Sequence, residues 1–311
     1  MLQKLEDILG KGRVEENKSL SQFLTLRTDT IWEYFFVAKS REDLINAKKA
    51  SFNLSIPLLL LGGGSNVAVC SKAVIGLVVK NNYIHRETIE ENEKSIIFSV
   101  SSGYPMPLLV RETVEEGIEG FEYHKGLPGT IGGAIAMNSK WTKPISYVSA
   151  NMVYAYLIEP NGSIKKADHA YFSFRYDYST LKKTREILLE IVFGCKKNDP
   201  YILETRSNEA LQYRLNSQVH GAATCGCFFQ NISEETRLAH QLPTTSAGYL
   251  IERAGLKNFS VGDFYISGKH ANFIVNCGNG RPDDLVQLLD TVKQKVKEKF
   301  GIELEEEVQL I

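Results

Sequence analysis

The sequence predicts a mixed fold, α+β or α/β, built as two or three compact units. Three observations carry this. The continuous apolar run IPLLLL (56–61) suits a buried strand, and EILLEIVFGC (186–195) also reads as a strand. DDLVQLLDTVKQKVKEKF (283–300) has apolar residues at 285, 288, 289, 292, 296 and 300, one stripe of an amphipathic helix. Strand and helix patterns intermix along all 311 residues, a length that accommodates two or three domains.

Taken in order, the first segment reads as a helix and TIWEYFFVA (30–38) as a strand. A second helix is opened by Ser40, with Glu42 and Asp43 in its first turn. IPLLLL ends in Gly62-Gly63-Gly64-Ser65-Asn66, and VAVC and IGLVVK resume as extended chain. SIIFSVSSG is a strand, and LLVRETVEEGIEG a helix stopped by glycine. GLPGTIGGAIAMN (126–138) is too rich in glycine for a regular element. VSANMVYAYLIE, the turn PNG, SIKKAD and EILLEIVFGC return to strands. Asn198-Asp199-Pro200 breaks the pattern and sets a boundary near 200, before the helical ILETRSNEALQYRL. SAGYLIERAGL reads as a helix and HANFIVN as a strand. IELEEEVQLI closes the chain by alternation, with Ile302, Leu304, Val308 and Leu310 on one face.

Composition narrows the function. There are 36 basic and 37 acidic side chains, a net charge of −1, so no global field attracts nucleic acid or anionic lipid. The charged start MLQKLEDILGKGRVEENK is not expected to be a signal peptide. No run of about 20 apolar residues suggests a membrane span. Five scattered cysteines suit a reducing cytoplasm better than a disulfide scaffold.

Two glycine-rich turns stand out. Residues 62–66 follow a buried strand, and Gly126-Leu127-Pro128-Gly129-Thr130-Ile131-Gly132-Gly133-Ala134 lies further along. Glycine lets a backbone approach a ligand closely, and successive amides form an anion-binding nest. Two such nests can grip one pyrophosphate; either alone reads as a tight connection. Neither matches the dinucleotide or P-loop signature. Cys225 and Cys227 flank one glycine. Their spacing is too short for the usual zinc pattern, so no metal site is expected. Cys225 reads as a packed thiol.

Together, LLLGGGSN, GLPGTIGGAIAMN, YDYSTLK, GCFFQN, AGYLIERAGLK, SGKHANFIVN and FGIELEEEV resemble the UDP-N-acetylenolpyruvoylglucosamine reductase family, in the family's order over residues 55–311. LTLRTDTIWEY lacks the glycine pair usual in the family's first strand region. The resemblance implies an α+β fold. An FAD-binding region of the vanillyl-alcohol-oxidase type would comprise subdomains 1–80 and 81–199, followed by a substrate domain, 200–311. It implies non-covalent FAD, NADPH as co-substrate, a small UDP-sugar substrate and a cytoplasmic, monomeric enzyme of peptidoglycan precursor synthesis. NADPH would reduce the flavin. The flavin would then pass hydride to the enolpyruvyl methylene carbon while the neighbouring carbon takes a proton.

Residue by residue, Cys227 falls on the family's proton-donating serine; a thiol, with a pKa near 8.5, is a more acidic donor than a hydroxyl. Glu307 falls on the family's catalytic glutamate, which polarises the substrate carboxylate. The family's arginine position is Asp177, a departure, and Arg175 is the expected substitute, its alternative being an ordinary surface arginine. The glycine loops, with Ser65, Asn66, Pro128, Thr130 and Ala134, would hold the cofactor. Tyr176, Arg214, Gln230 and Asn231 would contact substrate, with Gln230 replacing a lysine. No long substrate-lid insertion precedes EILLEIVF, which suggests the short-loop subtype. Two alternatives stay open: a flavin oxidase of the same fold, and a non-catalytic UDP-sugar or flavin-binding protein.

Overall fold

A computed structural model describes residues 1–184 and 186–311. The chain forms two compact units. Unit one comprises Met1–Lys18, Trp32–Gly63 and Ile75–Arg214; unit two comprises Ser19–Ile31, Gly64–Val74 and Leu215–Ile311. The class is α+β.

The first sheet of unit one orders its strands Val14–Ser19, Ile31–Ala38, Ala73–Asn81, Leu58–Leu61. The last two run parallel, with Leu58 opposite Leu77 and Leu61 opposite Lys80. Leu77 and Val79 pack with Leu44 and Ala47 of the Arg41–Leu54 helix and with Leu5 and Leu9 of the N-terminal helix. The Ser40 hydroxyl accepts from the Asp43 amide at 3.1 Å, the expected helix start. The Asp43 carboxylate also takes a two-pronged 2.8 Å bond from Arg13.

A second, antiparallel sheet orders Ile164–Asp168, Met152–Ile158, Ile187–Lys196, Ser95–Ser101, Arg86–Glu91. The edge strand, RETIEE, is polar and went unread in the sequence. The Met106–Glu115 helix covers this sheet over Phe98, Phe121 and Phe193, the last two edge to face at 5.1 Å. One expectation is corrected here. The second glycine stretch is regular from Ile131 to Ala136, a short helix capped by Thr130. One of its glycines answers crowding: a Cβ on Gly132 would lie 2.9 Å from Ser102 Cβ.

Unit two has a small meander, Ser260–Val261, Phe264–Ile266, Ile274–Asn276, under the helices Ala247–Arg253 and Pro282–Phe300. Leu285, Leu288, Leu289, Val292 and Val296 form the expected stripe and pack on Phe228, Leu250 and Phe264. Gly301, at φ 69°, ends the long helix in the left-handed region. The closing alternation is corrected: only Gln309–Leu310 is strand, paired parallel with Val67–Ala68, and Leu310 is exposed. The period breaks because the amides of Glu307 and Val308 both donate to the Phe228 carbonyl, a bulge.

Candidate active site

Unit one brings glycines of the two loops backbone to backbone. A Cβ on Gly63 would lie 2.4 Å from Gly129 Cα, and one on Gly62 would lie 2.5 Å from Thr130 Oγ1. No side chain larger than hydrogen fits at Gly63. Gly126 and Gly129 take φ of 83° and 101° on either side of Pro128, a path that favours glycine. Thr130 Oγ1 accepts from the Gly133 amide at 3.4 Å, and Ala134 is buried behind it. Gly64, Ser65 and Asn66 belong to unit two. There the Gly64 carbonyl accepts from the Thr25 amide at 3.1 Å, and Asn66 Nδ2 donates to the Glu307 carbonyl at 3.3 Å.

Arg214, expected beside substrate, lies in unit one against the second loop. Its Cδ is 3.2 Å from where a Gly126 Cβ would stand, and its guanidinium sits 4.7 Å over the Trp141 ring. Burial pulls it down to about 10. His124 is fully buried nearby, and burial, then the Arg214 charge, press its imidazole down to about 3. Sequence reading missed this neighbourhood, since nothing local says what a helix end will meet.

Arg175 and Tyr178 exchange amide-to-carbonyl bonds of 3.1 and 3.3 Å, closing a tight turn with Tyr176 and Asp177 at its tip. Asp177 takes φ 48°, in the left-handed region that aspartate tolerates. Its carboxyl is buried and pushed up by that burial, against a hydrogen bond from Tyr176 and the charges of Lys182 and Lys140. The Arg175 carbonyl accepts from Asn138 Nδ2 at 3.0 Å, and its guanidinium sits 4.3 Å over the Tyr178 ring. Arg175, Tyr176, Phe174, His169, Tyr147 and Asn138 line a cavity of about 280 Å³.

In unit two, residues 227–230 run as an extended segment between two others. On one side Cys227 bridges Phe273, the Phe228 amide donates to the Asn272 carbonyl at 2.9 Å, and Asn272 Nδ2 donates to the Phe229 carbonyl at 2.8 Å. On the other side Phe229 bridges Glu306, and the Gln230 amide donates to the Glu305 carbonyl at 2.8 Å. Cys227 and Glu307 thus sit on adjoining segments, both half-buried. Gln230 Nε2 reaches the Glu306 carbonyl at 3.5 Å, and Asn231 Oδ1 accepts from the Ala247 amide at 3.1 Å. Cys225 is buried. Burial first, and the Glu307 and Cys70 charges after it, push its thiol well above the usual range, although a backbone hydrogen bond opposes this. Among the described residues no helix is long and apolar enough to cross a membrane.

Comparison with known proteins gives two family matches. Residues 218–311 match the UDP-N-acetylenolpyruvoylglucosamine reductase C-terminal domain, and residues 32–168 match an FAD binding domain. A UDP-N-acetylenolpyruvoylglucosamine reductase of Halalkalibacterium halodurans is 30% identical over 96% of this chain and 95% of its own. One of Listeria welshimeri is also 30% identical, over 96% of this chain and 95% of its own. The crystal structure of the Thermus caldophilus reductase superposes with a TM-score of 0.77 at 26% identity, covering 96% of this chain and 98% of that one.

Proposed function

The chain belongs to the UDP-N-acetylenolpyruvoylglucosamine reductase family, and we propose that it reduces UDP-N-acetylglucosamine enolpyruvate to UDP-N-acetylmuramate with FAD and NADPH. The observation that carries the reading is the pairing of the Cys227 segment with the Glu307 segment. It gives one unit both a proton donor and a carboxyl group on adjoining backbone.

The residues present fit FAD. The two glycine loops meet with no side chain between them, since a Cβ at Gly63 would lie 2.4 Å from Gly129 Cα, and bare glycine backbone of this kind suits the close approach of a diphosphate. Gly62, Gly63, Gly126, Pro128, Gly129, Thr130, Gly132, Gly133 and Ala134 would form this cradle, with Gly64, Ser65 and Asn66 continuing the first loop. Arg214, a buried cation against Gly126, is better suited to the cofactor than to the UDP phosphates.

When bound, the flavin supplies a hydride taken from NADPH. The substrate's methylene carbon receives it, and the former double-bond electrons move onto the neighbouring carbon and its carboxylate. Arg175 is the cation that balances this charge, since Asp177 cannot. Within unit two, Glu307 polarises the substrate carboxylate, which stabilises the enolate. The Cys227 S–H bond then breaks, its proton goes to the carbon beside the carboxylate, and solvent reprotonates the thiolate. Asn231 and Gln230 orient the sugar, and Tyr176 borders Arg175. The same reading makes the protein a cytoplasmic monomer acting on a small molecule. All five cysteines are free thiols, as a reducing compartment requires.

The test follows NADPH oxidation at 340 nm with the purified, flavin-loaded protein. Oxidation should depend on UDP-N-acetylglucosamine enolpyruvate. Flavin that NADPH reduces but the enolpyruvyl substrate fails to reoxidise would sink the proposal.

A further inference from the structure

Lys80 lies beside the first glycine loop, and the chemistry above leaves it unused. It is the penultimate residue of the strand Ala73–Asn81, which runs parallel to Leu58–Leu61, and it pairs with Leu61, the residue just before Gly62. Leu77 and Val79 point into the core under the Arg41–Leu54 helix. Strand alternation therefore turns Val78 and Lys80 to the other face of the sheet. There the Lys80 ammonium donates to the Gly62 carbonyl. The next residue, Asn81, donates to Ser102 Oγ at 2.8 Å, and the Ser102 carbonyl accepts the Gly132 amide at 2.8 Å. Both glycine loops are thus tied to the end of the strand that carries Lys80.

A lone ammonium in this position is costly. It is half-buried, and loss of water lowers its affinity for a proton. Among the described residues no carboxylate forms an ion pair with it; the one partner shown is a neutral carbonyl, which satisfies one of three donors. A buried charge of this kind calls for an anion.

We propose that the Lys80 ammonium is the counter-cation of the FAD diphosphate, held over the Gly62–Gly63 and Gly129–Thr130 cradle by the Gly62 carbonyl. This rests on the reading that the chain binds FAD. Glycine amides alone supply partial charges to a group carrying two full negative ones; Lys80 supplies a whole positive charge at the loop. The contribution is specific to the phosphates, because riboflavin lacks them.

The experiment titrates the full-length, flavin-free protein with FAD and, separately, with riboflavin, following flavin fluorescence. Lys80→Met should weaken FAD binding about 10- to 100-fold, the worth of one charged hydrogen-bonding partner. It should leave riboflavin affinity unchanged, and Lys80→Arg should recover most of the FAD affinity. Equal FAD affinity in Lys80→Met and the unmodified protein would overturn the role of Lys80. So would equal losses for FAD and riboflavin, which would make Lys80 only a strand-end tie. Failure of the unmodified protein to bind FAD at all would instead remove the underlying reading, and this proposal with it.

Discussion

The Glu307 amide donates a 2.9 Å hydrogen bond to the Phe228 carbonyl, so the glutamate is locked one residue from Cys227 on the neighbouring segment. A proton donor held this way should matter for one half of the reaction. Cys227→Ala should lower turnover about 100- to 10,000-fold, the usual worth of a positioned acid, and leave flavin reduction by NADPH intact. Cys227→Ser should keep part of the activity. Cys225→Ala, which alters a buried thiol, should cost stability rather than chemistry. Stopped-flow absorbance separates the half-reactions, and equal loss of both in Cys227→Ala would make the thiol merely structural.

The two loop contacts differ in kind, and so should their variants. A methyl at Gly63 meets the Gly129 backbone at 2.4 Å, whereas one at Gly62 meets the Thr130 side chain at 2.5 Å. Gly63→Ala should destabilise by about 1–3 kcal/mol, as overpacking does, and lose FAD. Gly62→Ala should be partly rescued by Thr130→Ala, which removes the clashing hydroxyl at the expense of a helix cap. Thermal melts and bound-flavin ratios of the singles and the double check this. Rescue of Gly63→Ala by Thr130→Ala would refute the backbone contact.

Much of this was legible in the sequence, for stateable reasons. The Ser40 cap and the Pro282–Phe300 stripe are local patterns, and local patterns survive folding. The Ile131–Ala136 helix was hidden because it carries two glycines, one of which, Gly132, answers a distant neighbour, Ser102, and not helix propensity. RETIEE was hidden because a strand at a sheet edge can stay polar on both faces. The bulge at Glu307 and Val308 broke an alternation that the residues themselves keep. Lys80 escaped, and Arg214 was expected only beside substrate, for a common reason: each is defined by the glycine loop it lies against, far away in sequence.

The turn closed by Arg175 and Tyr178 decides which of two residues should answer to mutation. Asp177 sits at the tip with a left-handed φ of 48°, so its role is conformational. Asp177→Asn keeps that preference and should leave kcat and KM nearly unchanged. Arg175→Ala should cost about 10- to 100-fold in kcat/KM, the scale of one charged hydrogen bond to a carboxylate. Arg175→Lys should restore only part, because a point charge replaces a planar fork. Steady-state kinetics with varied enolpyruvyl substrate measures this; a larger loss at Asp177 than at Arg175 would reverse the assignment.

His124 gives the acid side of stability a specific source. Burial, reinforced by the Arg214 charge, holds its imidazole neutral down to about 3, against an ordinary 6.5. Between those values the unfolded chain binds a proton that the folded chain refuses. Stability from this group is therefore complete above pH 6.5 and is lost as pH falls toward 3, at up to about 1.4 kcal/mol per pH unit. From pH 7.5 to 4.5 the loss reaches about 2–3 kcal/mol. His124→Gln cannot titrate, so its stability should fall less over that range, whatever its value at neutral pH. Urea unfolding at both pH values, in both proteins, isolates the difference. Parallel losses would mean that the imidazole is not held neutral in the fold, and that acid sensitivity arises at other groups.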